Sequence, residues 1–275
     1  MTPLREPDAR RRRTRTLIGP LVVATAVVLL PPPAAAATTA VRFAFDGAPS
    51  PDGTPISTAT NHGSAPVQVS VRTRDGGRVV SASTRPRSSG RAIRFPRFDA
   101  TLPSPRAVLA VVNASSTDRL DPGTGAIQFG ADFVLDSASA RAGTVDDGNN
   151  LMQRGLWDGR TQLKLEVDGG RLICRVKGRS GEVSITGSTT VATGRWYRAS
   201  CRRSGSRVTL TLGSWSTTGA YSSRSWSKDG PTGSLTPASR SIPLSIGGKL
   251  NDDGSVHGAT DQFNGLVDNV VWILG

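Results

Sequence analysis

Hydrophobic and polar residues alternate along much of this chain with a period of two, which is typical of β-strands that have one face on a core. The alternation is clearest in two hairpins between residues 162 and 212. Their inward-facing positions are Leu163, Leu165, Val167, Leu172, Cys174 and Val176 in the first hairpin, and Tyr197, Ala199, Cys201, Val208, Leu210 and Leu212 in the second. Asp-Gly-Gly at 168–170 and Ser-Gly at 204–205 suit tight turns. The pattern predicts a small antiparallel sheet around which the rest of the chain is organised.

Similar segments occur on both sides of these hairpins. Residues 127–135 alternate over nine positions, and residues 107–112 are continuously apolar, as in a strand that is buried on both faces. Two further apolar segments follow at 242–248 and 263–274. Turn-forming Gly, Pro, Asp and Ser separate the segments, and no amphipathic helical window of useful length is present. We therefore predict an all-β fold, an antiparallel β-sandwich of the jelly-roll type.

The beginning of the chain has the order of a secretory signal. Arginines at 10–13 and 15 precede an apolar run at 17–30, and prolines and alanines follow at 31–37. The apolar run is shorter than the ~20 residues that a membrane-spanning helix needs. We expect residues 1–37 to be a signal peptide that is cleaved between about 36 and 40. The mature protein would then be extracellular and have no membrane span; an uncleaved anchor is the alternative.

The chain has two cysteines, Cys174 and Cys201, and both occupy inward-facing positions. Two cysteines in an exported protein most simply form one disulfide. A free thiol pair or a metal site is the alternative, but zinc would need further Cys or His ligands. We predict a disulfide between Cys174 and Cys201, which contributes roughly 3.5 kcal/mol in the chain-entropy model.

The composition is strongly basic, with 34 Lys and Arg against 21 Asp and Glu and a formal net charge of +13. Removal of residues 1–37 takes away six arginines and two acids and leaves a net charge of +9. A basic surface favours anionic partners such as cell-surface polymers and acidic glycans. Basic runs interleaved with aromatic residues, which bind single-stranded nucleic acid, are absent from the sequence, so we do not expect nucleic acid as a partner.

Several short motifs occur in this order along the chain: Asp-Pro-Gly-Thr (121–124), Phe-Gly-Ala-Asp-Phe (129–133), Asn-Leu-Met-Gln-Arg-Gly (150–155), Gly-Arg-Trp-Tyr (194–197), Ile-Gly-Gly-Lys (246–249) and Phe-Asn-Gly-Leu-Val-Asp-Asn-Val (263–270). Taken together, they resemble the motifs of laminin-G-like modules of the concanavalin A-like lectin/glucanase superfamily, in particular exported bacterial versions. The resemblance covers about residues 90–275 and implies a single laminin-G-like β-sandwich domain over 41–275. It implies little about function, because this fold hosts binders, enzymes and structural modules.

The resemblance also implies a metal site. In many proteins of the superfamily an Asp in the last strand lies beside the first strand and helps to hold a structural Ca²⁺. Asp268 matches that position, and Asp46 follows the first strand. Calcium takes six to eight oxygen ligands, so backbone carbonyls would have to complete the site. The alternative is that Asp268 caps or salt-bridges the rim of the sheet. We expect no required cofactor, with structural Ca²⁺ at Asp46 and Asp268 as the metal site to test.

The sequence argues against catalysis. Sandwich glycosidases need paired carboxylates, and the Glu-x-Asp-x-x-Glu pattern of the superfamily's glucanases is absent. After residue 37 the glutamates are Glu166 and Glu182. Glu166 falls at an outward position beside Lys164 and is predicted to be a solvated cross-strand partner. We assign no catalytic residue; a divergent glycoside hydrolase is the enzyme class that stays open.

Residues 213–240 are rich in Ser, Thr and Gly, and we predict a long exposed loop. Sugars stack on exposed aromatic rings and bond to polar neighbours, so loop aromatics are typical of glycan binding. The candidate ligand contacts are Trp215, Tyr221, Arg224 and Trp226. The alternative is that these rings cover an edge of the sandwich, because large aromatics prefer burial. The sequence thus predicts a non-catalytic module that binds carbohydrate or another extracellular polymer; a structural, adhesion or protein-interaction domain is the alternative.

Overall fold

The computed structural model describes residues 36–47, 51–84, 90–97, 99, 103–138, 148–258 and 261–275. The predicted signal peptide lies outside these ranges except for its last two residues. The described residues contain no helix that is long and apolar enough to cross a membrane.

Fifteen strands make up the regular structure of the described chain. They are β1 (Thr38–Phe43), β2 (Val67–Arg74), β3 (Val80–Ser83), β4 (Arg91–Phe95), β5 (Arg106–Asn113), β6 (Ile127–Leu135), β7 (Asn149–Arg154), β8 (Gln162–Asp168), β9 (Arg171–Gly178), β10 (Gly181–Thr190), β11 (Trp196–Ser204), β12 (Arg207–Trp215), β13 (Tyr221–Asp229), β14 (Leu244–Ile246) and β15 (Gly265–Leu274).

The strands form two antiparallel sheets that pack face to face, so the predicted all-β sandwich is confirmed. Sheet A has the order β13-β12-β11-β6-β15-β4-β3, and β1 also pairs with β15. Sheet B has the order β10-β9-β8-β7-β14-β5-β2. The last strand, β15, therefore lies in the middle of sheet A, with β6 on one side and β4 and β1 on the other.

The inner faces of the two sheets enclose one large hydrophobic core, as the alternation of inward-facing residues requires. Its largest fully buried side chains include Phe43, Phe95, Phe129, Phe133, Phe263 and Trp272. The indole Nε1 of Trp272 donates a hydrogen bond to the carbonyl of Leu120 at 3.1 Å. Because a buried polar group is costly without a partner, this bond lets a tryptophan occupy the core.

The two central hairpins lie in opposite sheets, so the prediction of one small sheet is wrong. The β8–β9 hairpin belongs to sheet B and the β11–β12 hairpin to sheet A. Cys174 in β9 and Cys201 in β11 are fully buried, with Cα atoms 5.8 Å apart, and their predicted disulfide is confirmed. The disulfide therefore joins the two sheets across the core. Alternation identifies inward positions, but it does not tell which sheet a hairpin joins.

The predicted loop at 213–240 contains a strand, which is a second correction. Residues 221–229 form β13 and pair without a break with residues 207–215 of β12. Eight of the nine residues of β13 are exposed and only Trp226 is half-buried. An edge strand that is exposed at all but one residue needs no apolar alternation, so its sequence has the composition of a loop.

Candidate functional site

The outer face of sheet A carries a cluster of aromatic and charged side chains, which we call the aromatic patch: Trp196, Arg198, Trp215 and Tyr221. Residues directly opposite each other in a ladder share a face of the sheet. Arg198 of β11 lies opposite Asp132 of β6, and Trp215 lies opposite Tyr221. The outward positions of three adjacent strands thus form the aromatic patch, with Asp132 of β6 beside it.

Arg198 is the charged centre of the aromatic patch. Its Nε and Nη2 donate to the two carboxylate oxygens of Asp132 at 2.6 and 2.9 Å, and Asn269 Nδ2 also donates to Asp132 at 2.9 Å. The hydrogen bond to Asp132 is the main cause that raises the pKa of Arg198. Asp132 is fully buried, whereas half of the Arg198 side chain is exposed. The buried carboxylate therefore fixes a cation at the surface in one orientation.

Two aromatic rings lie beside this cation. The guanidinium of Arg198 sits 5.4 Å from the centroid of the Trp215 ring, a cation–π distance. The Tyr221 ring leans against Trp215, with 5.2 Å between centroids, and Tyr221 is 49% exposed. A Cβ atom at Gly213 would come within 2.1 Å of the Tyr221 hydroxyl. Glycine at 213 therefore lets the tyrosine ring lie close to β12.

The rings rest on an apolar support. A second hydrophobic cluster lies on the outer face of sheet A and is made of residues from neighbouring strands. Trp215 packs against this cluster. Its buried members are Ala82, Ala92, Val134, Trp196 and Leu266. Trp196 lies opposite Val134, which in turn lies opposite Leu266. Because the support is buried, Trp215 is held in place while part of its ring stays accessible.

A flat hydroxyl surface extends from the patch along β12 and β13. Two cross-strand hydroxyl pairs lie on it, Thr211 with Ser225 at 2.8 Å and Thr209 with Ser227 at 2.9 Å. Serine and threonine hydroxyls both donate and accept hydrogen bonds, as sugar hydroxyls do. The outer face of sheet A therefore combines stacking surface, a fixed cation and a row of hydroxyls.

The structure divides the four predicted ligand residues into two groups. Trp215 and Tyr221 belong to the aromatic patch, whereas Arg224 and Trp226 alternate to the opposite side of β13. Trp226 packs against the core, and its Nε1 donates to Ser188 Oγ of β10 at 3.2 Å. The ring of Trp226 thus covers an edge of the sandwich, which was the alternative to ligand binding for the aromatic residues of this segment. Sequence reasoning missed Arg198, since an arginine at an outward strand position gives no sign of a buried partner.

The two predicted calcium ligands make other contacts. Asp46 accepts a hydrogen bond from the Arg91 backbone at 3.0 Å and lines a cleft of about 720 Å³. Both carboxylate oxygens of Asp268 accept from Asn269, at 2.7 and 3.0 Å. Within the described ranges, no group of three or more His, Cys, Asp or Glu side chains is placed to hold a metal. A calcium site at Asp46 and Asp268 stays a prediction.

Glu166 is buried on the outer face of sheet B, so the expectation of a solvated residue is wrong. It is 6% exposed, and its Oε2 lies 2.5 Å from Lys164 Nζ. Lys164 also contacts Asp261 at 3.5 Å, and Lys249 contacts Asp261 at 3.3 Å. We call these four residues the sheet B charge cluster. Lys249 and Asp261 come from segments far along the chain, so the sequence around Glu166 could not reveal the burial.

Burial and neighbouring charges shift the pKa values inside this cluster. Burial is the main cause that raises the pKa of Glu166, and the carboxylate of Asp261 raises it further. Burial alone would lower the pKa of Lys164, but Glu166 and Asp261 together outweigh it and raise that pKa. Two carboxylates beside one ammonium group keep Lys164 charged, whereas burial dominates at Glu166. Lysine stays charged, while Glu166 holds its proton more tightly than it would in water.

A pH-dependent stability follows for Glu166. Folding raises its pKa above the ordinary 4.5, so its contribution to stability is full below that pH and is lost as the pH rises through the folded pKa. We expect the stability of Glu166→Gln relative to the wild type to increase with pH above 4.5, measured by urea unfolding. Glu182→Gln is the matched control, because Glu182 pairs with Arg175 on the surface. The same pH dependence in both variants would contradict the prediction.

Comparison with known proteins confirms the resemblance to laminin-G-like modules. Residues 147–272 match the family model of the laminin G domain. Among solved structures, the binding domain of Paraclostridial Mosquitocidal Protein 1 matches with a TM-score of 0.53 and 10% identity, over 86% of this chain and 48% of that chain. This chain thus spans about half of that structure, and at this identity the likeness shows the fold alone.

Two further structures have lower scores. The LG1-3 region of the laminin alpha2 chain has a TM-score of 0.40 and 10% identity, over 86% of this chain and 64% of that chain. The PL-14 alginate lyase from Aplysia kurodai has a TM-score of 0.43 and 10% identity, over 76% of this chain and 91% of that chain. No curated protein sequence matches this chain.

Proposed function

We propose that this laminin-G-like β-sandwich is an extracellular, non-catalytic binding module, and that its aromatic patch recognises carbohydrate with acidic groups. The observation that carries the proposal is the fixed Arg198 cation beside the partly exposed rings of Trp215 and Tyr221. The buried disulfide and the laminin G match support an extracellular setting. The signal peptide at 1–37 and its cleavage stay predictions.

The chemistry of the patch suits an acidic sugar. The C–H face of a sugar ring can stack on Tyr221 and on the accessible part of Trp215. A carboxylate or sulfate on that sugar would meet Arg198, whose orientation Asp132 has already fixed, so little side-chain entropy is lost on binding. The hydroxyl pairs of β12 and β13 would bond to the next sugar along the chain. The positive net charge of the protein favours such a ligand.

Two acids in the described part of the chain, Glu166 and Asp261, do not have the features of a glycosidase pair. Glu166 and Asp261 are the two acids that share a neighbour in the sheet B charge cluster, and both contact Lys164. They are 6% and 4% exposed, and Asp261 is also paired with Lys249. A glycosidase must bring an acid and a nucleophile or base to the sugar. Carboxylates that are buried and neutralised by lysines are poorly placed for that task.

Loss of one patch ring should weaken glycan binding about 10- to 100-fold. Stacking of a base on an aromatic side chain is worth about 1–3 kcal/mol, and a stacked sugar should be comparable. A glycan array on the wild type first identifies a ligand, and calorimetry then compares Tyr221→Ala and Trp215→Ala. Trp157→Ala is the control, because Trp157 is 67% exposed but lies outside the patch.

Two results would contradict the proposal. One is the absence of binding to every neutral and acidic glycan tested. The other is an affinity that is unchanged in Tyr221→Ala and Trp215→Ala or that falls equally in Trp157→Ala. If no glycan binds but a protein partner does, and the two patch variants abolish that contact, the adhesion or protein-interaction alternative is favoured.

A further inference from the structure

Most edge strands of the described chain are protected against pairing with a strand of another molecule. β3 has only four residues, and residues 53–56 bond to its free side. The segment before β2 covers that strand, since Val71 N donates to the Ser57 carbonyl and Thr58 Oγ1 to the Val69 carbonyl. The pairing of β10 is irregular between Thr186 and Thr190. Covering, shortening, bulges and charged side chains are the usual ways to protect an edge.

No segment of the described chain covers β13, and the strand is neither short nor bulged; its charged side chains are Arg224, Lys228 and Asp229. It pairs with β12 over nine consecutive residues without a register shift, and eight of the nine are exposed. Its sequence, Tyr-Ser-Ser-Arg-Ser-Trp-Ser-Lys-Asp, contains no proline. A long, regular and exposed edge presents a row of unpaired backbone groups to a partner strand.

The hydrogen bonds at both ends of the hairpin fix which backbone groups face outward. Ser216 N donates to the Ala220 carbonyl at 2.8 Å, and Gly230 N donates to the Ser206 carbonyl at 3.0 Å. Hydrogen-bonded and non-hydrogen-bonded pairs alternate along an antiparallel ladder. The even-numbered residues of β13 therefore bond to β12. The odd-numbered residues, Tyr221, Ser223, Ser225, Ser227 and Asp229, turn their N–H and C=O groups to the free edge.

We propose that β13 pairs with β13 of a second copy of this chain, antiparallel and about a two-fold axis at Ser225. Ser225 is the middle residue of the nine, so this register uses the whole edge and joins both copies of sheet A into one continuous sheet. Outward-facing backbone groups meet one another at every hydrogen-bonded position. An isologous contact of this kind is closed and gives a dimer rather than a fibre.

The side chains of β13 are self-complementary in this register. Arg224 lies opposite Trp226 of the partner, which allows a cation–π contact. Tyr221 lies opposite Asp229 of the partner, and Lys228 lies opposite the partner's Ser222. Like charges are therefore never directly opposite, although Arg224, Lys228 and Asp229 all belong to the strand. On the outer face, Ser223 lies opposite the partner's Ser227, so the rows of hydroxyl groups continue from one copy into the other.

The dimer would place two aromatic patches on one continuous outer face. A polymeric ligand that reaches both patches would bind more tightly than a single sugar, because the second contact is intramolecular. The dimer itself does not depend on the glycan, so it is tested without ligand.

Sedimentation of the protein over a range of concentrations is the first test. We expect a monomer–dimer equilibrium for the wild type and at least a tenfold weaker association for Ser225→Pro. Proline at 225 removes an outward N–H that β12 does not use, and edge strands tolerate proline at such positions. Ser225→Ala is the matched control and should dimerise like the wild type. A monomer at all concentrations, or a dimer that Ser225→Pro does not weaken, overturns the proposal.

Disulfide trapping tests the register with variants that keep the strand intact. Residues that face each other in a hydrogen-bonded pair have Cα atoms about 5.5 Å apart, within the range of a disulfide. Ser225→Cys should therefore cross-link two copies under mild oxidation, whereas Ser223→Cys should not, because it faces position 227 of the partner. The native cysteines are both paired, so the introduced thiol is the only free one. Cross-linking by Ser223→Cys but not by Ser225→Cys overturns the two-fold axis at Ser225.

Discussion

Replacement of both Cys174 and Cys201 by alanine is expected to lower the free energy of unfolding by about 3–4 kcal/mol. The disulfide closes a loop with a sequence separation of 27, so its loss frees the unfolded chain. It also links β9 of sheet B to β11 of sheet A at fully buried positions.

Guanidinium unfolding of the double variant and of the wild type is the measurement. The wild type under reducing conditions is a matched control, because it loses the covalent bond but keeps both sulfur atoms in the core. The reduced wild type and the double variant should lose similar stability, the variant somewhat more because of the missing side-chain volume. A loss below about 1 kcal/mol, or two free thiols in the native oxidised protein, would contradict the expectation.

Trp226→Ala is expected to lower the free energy of unfolding by about 2–3 kcal/mol, somewhat less than a fully buried tryptophan would. The ring of Trp226 packs against the core and lies so close to Gly187 of β10 that a Cβ atom added at Gly187 would be 3.1 Å from it. Its indole Nε1 also bonds to Ser188. The ring therefore closes the gap between the edge strands β13 and β10.

Thermal and chemical unfolding, at concentrations where the protein is monomeric, would measure this loss. Trp226→Phe keeps most of the ring but removes the bond to Ser188, so it should lose about 1 kcal/mol. Tyr221→Ala is the control on the exposed side of the same strand and should change stability by less than about 1 kcal/mol. Equal losses for Trp226→Ala and Tyr221→Ala would show that Trp226 does not close the edge.

Alternation along the chain predicted the inward-facing positions of the central strands, and these positions together with the expected export of the chain predicted the disulfide. Leu163, Leu165 and Val167 lie on the inner face of β8 because the local pattern of polar and apolar residues decides which face is buried. The same local pattern contains no information on which strands become neighbours. For that reason the two hairpins were predicted to share a sheet, although they lie on opposite sides of the core.

The parts of the candidate site that could not be predicted depend on distant residues. Arg198 looks like any exposed arginine until β6 places Asp132 opposite it. Glu166 looks solvated until Lys249 and Asp261 are brought beside Lys164. Tyr221 was identified correctly as an exposed aromatic residue, but its strand has no apolar period and was predicted to be a loop. For Arg198 and Glu166 the deciding contact is set by tertiary pairing, whereas β13 was missed because a solvated edge strand has no apolar pattern.

The central position of β15 in sheet A has a consequence for the order of events during biosynthesis. β15 contacts β6, β4 and β1, so the middle of this sheet stays open until residues 265–274 have left the ribosome. Pairing of β1 with β15 joins segments more than 200 residues apart, and contacts so distant in sequence form slowly. The strands on the two sides of β15 therefore become one sheet only when residues 265–274 are available to pair.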